Sequence, residues 1–402
     1  MYLEKNNLIK FANIKINFCF LLISFFVILP ITNAEIQEFD FDEETDSDDI
    51  TKKANKTKNW TLSLSSYYGE NDDGIYIKRA MAGFKISDKI NQNVFFKLGL
   101  NANYFNEDDF SYPPKNQPEW GESWLQHKVG TKCSAKWGKQ NISWGEVDTT
   151  GALNIITPND YTNIFTTDFA TLKNIPWSIT ADCYMGKTQI KTFISPKAQV
   201  NIYSKEDYNT KLSTEYGSKI LYQDTATTYG LYLAKLYEND KNLQNEYLDF
   251  NLIGFSYSQN KQGWVYKTDI SYRDNVSIIN STKTAPRLDL SIGAEHLTAN
   301  LHQFTISLWA AKYQGLEQEN TKAQQPLSII QWQKEYQELS ITPSVLWLYL
   351  REPEITLGKI ALIYNYNDYI SYDISYSKSH SDIKPNPISQ NTITMIGVNA
   401  VF

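Results

Sequence analysis

Four histidines are available for acid–base or metal chemistry: His127, His296, His302 and His380. None stands at ligand spacing from a second histidine or a cysteine. His296 and His302 flank one turn and are expected to form a surface pair. Ser377, Ser379 and Ser381 crowd His380 in a polar loop, with no clear partner to complete a nucleophile–base arrangement. Glycine-rich phosphate loops are missing from the sequence. No catalytic residue, metal site or cofactor is predicted, and an enzyme is not expected.

What remains is electrostatic. Residues 145–175 carry Glu146, Asp148, Asp160 and Asp168 against Lys173 alone. Lys97, Lys136, Lys191, Lys267, Arg273 and Arg287 recur elsewhere, each on the polar parity of an alternating segment. An acidic loop facing such a basic wall would set a transverse field across a passage, where charge and radius govern what gets through. Asp249, Asp269, Asp289, Glu295 and Asp373 share the polar parity, so the same charges also read as scattered solvated groups. Ion preference stays open.

The alternating segments are the elements that must position these charges. From Gln262 to Arg273, Trp264, Tyr266, Ile270 and Tyr272 fall on one parity, and Lys267, Asp269, Ser271 and Arg273 on the other. From Arg287 to Glu295, Leu288, Leu290, Ile292 and Ala294 alternate with Arg287, Asp289, Ser291 and Glu295. Side chains of a strand point to opposite faces with period two. A soluble sandwich buries the apolar face against a second sheet, whereas a barrel in lipid turns it outward around a wet lumen.

The N-terminus selects the barrel. Lys5, Lys10 and Lys15 precede the apolar run 18–30, which ends at Thr32-Asn33-Ala34, so residues 1–34 read as a secretory signal peptide. Later stretches fall short of the ~20 apolar residues of a membrane helix. Mean hydropathy is −0.44, as alternation produces in a barrel. Removing residues 1–34, with three lysines against Glu4, takes the net charge from −7 to −9, which gives no reason to expect nucleic acid. Residues 35–57, carboxylate-rich then lysine-rich, read as a flexible periplasmic tail.

Residues 58–402 then divide into eighteen candidate strands, with sixteen as the rival count, in a transmembrane antiparallel β-barrel. Tight gaps at Ser87-Asp88, Gly130, Gly186-Lys187, Asn260-Lys261 and Asn367-Asp368 should face the periplasm. The long gaps 104–119, 145–175, 197–215, 274–285, 314–325 and 379–390 should face outside, with Arg351-Glu352-Pro353 a short outer turn. The 27 Tyr, 19 Phe and 10 Trp include many near strand ends, among them Trp60, Tyr67, Trp120, Trp144 and Trp177, as interfacial girdles require. Phe402 ends a last strand shared in parity with Ala400, Val398 and Ile396. Such an aromatic terminus looks like the signature read by the barrel assembly machinery.

The segment Gly138-Lys139-Gln140-Asn141-Ile142-Ser143-Trp144-Gly145-Glu146, followed by Thr157-Pro158-Asn159-Asp160 and Ile175-Pro176, carries a further signal. It resembles a group of proteobacterial outer-membrane proteins, porin-like and mostly of unassigned function. There, a G-[RK]-Q-x3-W-G-E strand end leads into a loop with a V-I-N-P-x-D element and a hydrophobic-Pro return. Gly138, Lys139, Gln140, Trp144, Gly145, Glu146, Pro158 and Asp160 match. Thr157 stands where the pattern has Asn, and the likeness covers only residues 120–185. It implies a porin-like barrel and supplies no substrate.

Read physically, Trp144 should sit at the outer interface, Gly145 permits a turn closed to larger residues, and Pro158-Asn159-Asp160 is a turn signal. The loop 145–175 is far longer than an ordinary connection and holds many apolar residues, so it is expected to fold into the lumen as a constriction. Cys133 and Cys183 should lie on neighbouring strands, on the lipid face near the periplasmic turns, and form a disulfide or remain two free thiols. The expected function is passive diffusion of small hydrophilic or amphipathic solutes through an outer-membrane channel, amid phospholipid and lipopolysaccharide. A surface-binding adhesin is the alternative and an outer-membrane hydrolase trails. No feature reports the oligomer.

Overall fold

The structure, a computed structural model, describes residues 59–71, 76–105, 118–147, 151–160, 173–202, 207, 210, 212–278, 282–314, 324–350, 355–381 and 392–402. Residues 1–34 and 35–57, Asp148, Asp168 and the turn 351–353 lie outside them. Backbone pairing runs through nineteen segments. The first nine are β1 (Trp60–Asn71), β2 (Tyr76–Asn91), β3 (Val94–Phe105), β4 (Glu119–Trp120), β5 (Ser123–Val129), β6 (Cys133–Lys139), β7 (Trp177–Met185), β8 (Thr188–Ser195) and β9 (Glu215–Gln223). Next come β10 (Thr227–Tyr237), β11 (Asp249–Lys261), β12 (Trp264–Ser277), β13 (Thr284–Leu297) and β14 (His302–Tyr313). β15 (Gln324–Lys334), β16 (Ile341–Leu350), β17 (Ile355–Asn365), β18 (Ile370–Ser381) and β19 (Thr392–Val401) complete the circuit.

β4 and β5 both pair with β3 and follow each other end to end, so they form one wall strand and the barrel has eighteen. The break has a local cause. Ser123 Oγ bonds both the N–H and the carbonyl of Gly99, and Gly121 N–H donates to Gly99 O. A Cβ on Gly99 would lie 2.8 Å from the Glu122 carbonyl, so only glycine admits the bulge there. β1 pairs with β2 on one side and β19 on the other, and Leu62 and Phe402 exchange backbone hydrogen bonds across that seam. Closure removes every sheet edge.

Alternation sorts the two faces as expected. Leu231, Leu233, Ile253, Leu290 and Ile360 point outward and are exposed, while Asp269, Ser271, Asp289 and Ser291 point inward and are fully buried. Asn59 and Phe402, the first and last described residues, lie at the end of the barrel that carries the short turns. Gly130 and Gly186 make two of these with positive φ, and Asn367 Oδ1 accepts the amides of Tyr369 and Ile370 at another.

Two turns differ from expectation. β2 runs on through Ser87-Asp88, where Ser87 N–H bonds Asn59 O, and turns at Gln92-Asn93, with Asn93 N–H donating to Asn91 Oδ1. β11 likewise continues through Asn260-Lys261 to Gln262-Gly263, whose φ values of 55° and 80° suit a tight hairpin turn. Trp60, Tyr68, Trp120 and Trp177 stand exposed near strand ends, as a girdle should. Tyr67 faces the lumen instead, where its hydroxyl donates to Asn399.

Candidate functional site

The expected strand 131–144 stops at Lys139, and the chain turns into the lumen. Gly138 has φ 140°, and a Cβ there would lie 2.2 Å from Ser123 O, so the chain crosses its neighbour only as glycine. Gln140 latches the departure. Its Nε2 donates to Ser178 O and Lys136 O, and its Oε1 accepts from Thr180. Ile142 N–H donates to Thr157 Oγ1, which in turn donates to Ile142 O. The threonine at that position therefore ties the outgoing and returning limbs together. Pro158 O accepts Asn174 N–H.

Trp144 is not at the outer interface. Its indole is almost wholly buried, edge-on to Phe193 at 5.2 Å and tilted against Tyr232 at 5.4 Å, over Gly217, where a Cβ would sit 2.6 Å from the ring. The indole lies there because the backbone has already left the wall five residues earlier. Ile142, Trp144, Leu153 and Ile156 pack with inward-facing Leu236, Phe250, Leu252 and Val276 into a hydrophobic cluster inside the barrel.

Polar wall groups pin the same segment. The Asp269 carboxylate accepts the backbone amides of Glu146, at 2.9 and 3.1 Å, and Val147, at 2.9 Å. Gly145, with φ 86°, brings those amides close enough, since a Cβ would come within 2.4 Å of Asp269 Oδ2. Ser271 Oγ donates to Ala152 O at 2.6 Å, Arg273 donates to Gly151 O at 2.6 Å, and Ala152 N–H donates to Ser291 Oγ. Beyond Ile155, whose carbonyl accepts Asn239 Nδ2, Asn159 N–H donates to Asn201 Oδ1 and Asp160 bridges to Ile202. Residues 140–147 and 151–160 thus lie inside the barrel, held by both Asp269, Ser271 and Arg273 and by Asn201 and Asn239.

These contacts redistribute the expected charges. Arg273 lies beneath the in-folded segment rather than open to the passage, and Asp289 holds both Arg273 at 3.3 Å and Arg287 at 3.1 Å. Lys267 pairs with Glu295 at 2.8 Å. Lys97 pairs with Glu122 at 2.7 Å, which the β4–β5 break turns inward. Asp160 shares a charge interaction with Arg79 of β2, a buried arginine the sequence pattern did not single out. Asp249 stands on the outward parity and pairs with Lys235.

The two arcs of the wall differ in sign. On the chain-terminus side of the in-folded segment, β2 to β9 turn Lys85, Lys89, Lys97 and Lys128 inward, then Lys136, Lys191 and Lys219. Among the described residues Glu122 and Asp182 oppose them there. Lys89 and Lys128 both lie over the Phe95 ring, at 5.5 and 5.0 Å, near the mouth. From β10 onward, inward cations and carboxylates balance.

Cys133 and Cys183 are direct cross-strand partners on the outward face and are joined as a disulfide, with Cα atoms 4.1 Å apart. Lys132 and Tyr184 form the neighbouring hydrogen-bonded pair, which makes the cysteines a closely spaced, non-hydrogen-bonded pair.

No protein-family model and no curated protein matches the chain. Solved structures do. OpdK of Pseudomonas aeruginosa, solved with vanillate, is matched over 85% of this chain and 98% of that one, at TM-score 0.57 and 9% identity. OccK2 (OpdF) of the same organism, in complex with glucuronate, is matched over 86% and 97%, at 0.57 and 8%. Acinetobacter baumannii OccAB3 is matched over 85% and 98%, at 0.54 and 12%. The likeness is one of architecture: this chain has the eighteen-stranded barrel fold of bacterial outer-membrane porins.

Proposed function

We propose that this protein is an outer-membrane channel for passive diffusion of small hydrophilic or amphipathic solutes, with both chain ends in the periplasm. The observation that carries the reading is a closed barrel, apolar outside and polar within, narrowed by a segment pinned to the inner wall at Asp269, Ser271 and Arg273. A surface-binding barrel has no use for a lumen constricted by charge and radius. Vanillate and glucuronate, found with the two Pseudomonas neighbours, are small carboxylates and fall within the proposed solute class.

The lysine-rich arc adds a sign. A cleft lined by one charge concentrates counter-ions, so the pore should prefer anions. In planar bilayers under a KCl gradient, purified protein should give discrete conductance steps and a reversal potential of anion sign. Folded protein that inserts without steps would favour the surface-binding reading, and a cation-selective reversal potential would remove the lysine arc from the conduction path.

Orientation has its own test. Epitope tags within 104–119, 197–215 and 314–325 should be labelled on intact cells, and tags at Gly186 and Gly263 only after permeabilisation. The opposite pattern would invert the barrel.

A further inference from the structure

The outward face of the barrel is ordered in rows at the short-turn end of β12 to β15. Trp264, His296, Phe304 and Trp332 stand directly opposite one another on these four strands. Trp264 and His296 stack at 4.4 Å with their planes 9° apart. One row towards the middle of the barrel lie Tyr266, Ala294, Ile306 and Ile330, of which Ile306 and Ile330 are exposed members of the apolar band. One row towards the turns, His302 of β14 faces Lys334 of β15. Amphipathic rings settle at the headgroup level of a bilayer, so the His302–Lys334 row falls at the depth of lipid phosphates. Aromatic neighbours hold both side chains. Trp332 Nε1–H donates to His302 Nδ1 at 3.3 Å, which places the ring proton on Nε2. Phe304 stacks with the same imidazole at 6.1 Å, planes 7° apart. Lys334 Nζ lies 4.2 Å from the centre of the Tyr336 ring. The turn to β16 then adds two carboxylates, Glu335 and Glu338.

We propose that His302 and Lys334 bind the phosphate of a membrane phospholipid, with phosphatidylethanolamine as the fitting headgroup. Side chains directly opposite on adjacent strands begin about 5 Å apart at Cβ. The imidazole Nε2–H and the ammonium can therefore donate to two oxygens of one phosphodiester, and bonds of this kind to an ionised acceptor are the strong ones. Phe304 and Trp332 then lie against the glycerol and the first acyl carbons, which continue over Ile306 and Ile330. Glu335 and Glu338 select the rest of the headgroup. Two carboxylates beside one lysine disfavour a lipid of net negative charge. They accept hydrogen bonds from a primary ammonium, which trimethylated choline has no N–H to donate. The site goes beyond conduction, since it needs only a barrel in a bilayer. Its leaflet, the periplasmic one, rests on the orientation proposed above.

The test titrates the detergent-solubilised barrel with phosphatidylethanolamine, phosphatidylcholine and phosphatidylglycerol of identical acyl chains, and reads retained lipid by native mass spectrometry. Phosphatidylethanolamine should be retained at concentrations about tenfold below those the other two need. The double variant His302→Phe/Lys334→Gln removes both phosphate donors and keeps a ring beside Phe304. It should raise the phosphatidylethanolamine requirement by about tenfold or more, the worth of one charge-assisted hydrogen bond. Heat-modifiable migration checks that it folds. Lys334→Gln alone leaves the Trp332–His302 bond intact and should shift the requirement in the same direction, so a double variant that fails to fold does not remove the test. Glu335→Gln/Glu338→Gln should bring phosphatidylglycerol level with phosphatidylethanolamine. Unchanged retention in the folded lysine variants would overturn the site. Equal retention of the three lipids by wild type would overturn the headgroup assignment, and displacement of bound lipid by inorganic phosphate would reduce the pair to a free-anion site. Conductance in planar bilayers is read separately, so failure of the lipid site leaves the channel reading standing.

Discussion

Deleting residues 149–170 is expected to raise single-channel conductance about twofold or more, because conduction is set by the narrowest part of a pore. The barrel should survive. Its eighteen wall strands pair without any contribution from those residues, and the seam between β1 and β19 is remote in sequence. The deleted stretch includes Gly151 and Ala152, the backbone groups held by Arg273, Ser271 and Ser291, and the buried side chains of Leu153 and Ile156. Asp269→Ala asks the same question with one side chain. Each amide bonded to a buried carboxylate contributes roughly 1.5–3 kcal/mol, so losing the Glu146 and Val147 contacts weakens the anchor by about 3–6 kcal/mol. The hydrophobic cluster around Trp144 remains, so conductance of this variant should lie between those of wild type and the deletion, with noisier open levels. Heat-modifiable migration reports folding in both. Unchanged conductance in a folded deletion variant would place the segment outside the ion path.

The wall was legible because lipid and water impose opposite demands on alternate residues. Arg287 to Glu295 shows this most cleanly, and its two faces came out as its parity indicated. Errors fell where local chemistry outranks the pattern. Ser87-Asp88 looks like a turn, yet the ladder to Lys97 and Phe96 carries β2 past it. Trp144 looks like an interfacial tryptophan, yet Gly138 and Gln140 end the strand before it.

The anchor leaves a trace in the sequence. Phe193, Leu221, Leu236, Phe250, Leu252 and Val276 all break the polar-inward rule, on strands β8 to β12. Apolar side chains facing a wet lumen on adjacent strands call for a cover, and among the described residues Ile142, Trp144, Leu153 and Ile156 supply it. Asp269 could not have been singled out in this way. Its inward parity matches that of Asp289 and Glu295, and only the approach of Gly145 distinguishes it.

Replacing both Cys133 and Cys183 by serine is expected to cost stability while leaving conductance unchanged. The two residues lie 50 apart in sequence, and closing a loop of that length is worth ~4 kcal/mol in the chain-entropy model. The position makes the cross-link matter. β6 and β7 pair over seven residues, from Cys133↔Cys183 to Lys139↔Trp177, whereas β12 and β13 pair over twelve. At Lys139 and Trp177 the chain leaves for the lumen and returns, so no outer hairpin prolongs the β6–β7 ladder. The disulfide sits at the opposite end, on the lipid face beside the turn at Gly130. It therefore clamps one of the shorter ladders of the wall at the base of the in-folded segment. In the oxidising periplasm such a bond persists. The serine variant should unfold at lower temperature or denaturant concentration in heat-modifiability assays, and wild type treated with reductant while unfolded should match it. Non-reducing mass spectrometry of the mature protein gives the direct answer: two thiols alkylated without prior reduction would remove the bridge, and the barrel, closed through β1 and β19, would stand without it.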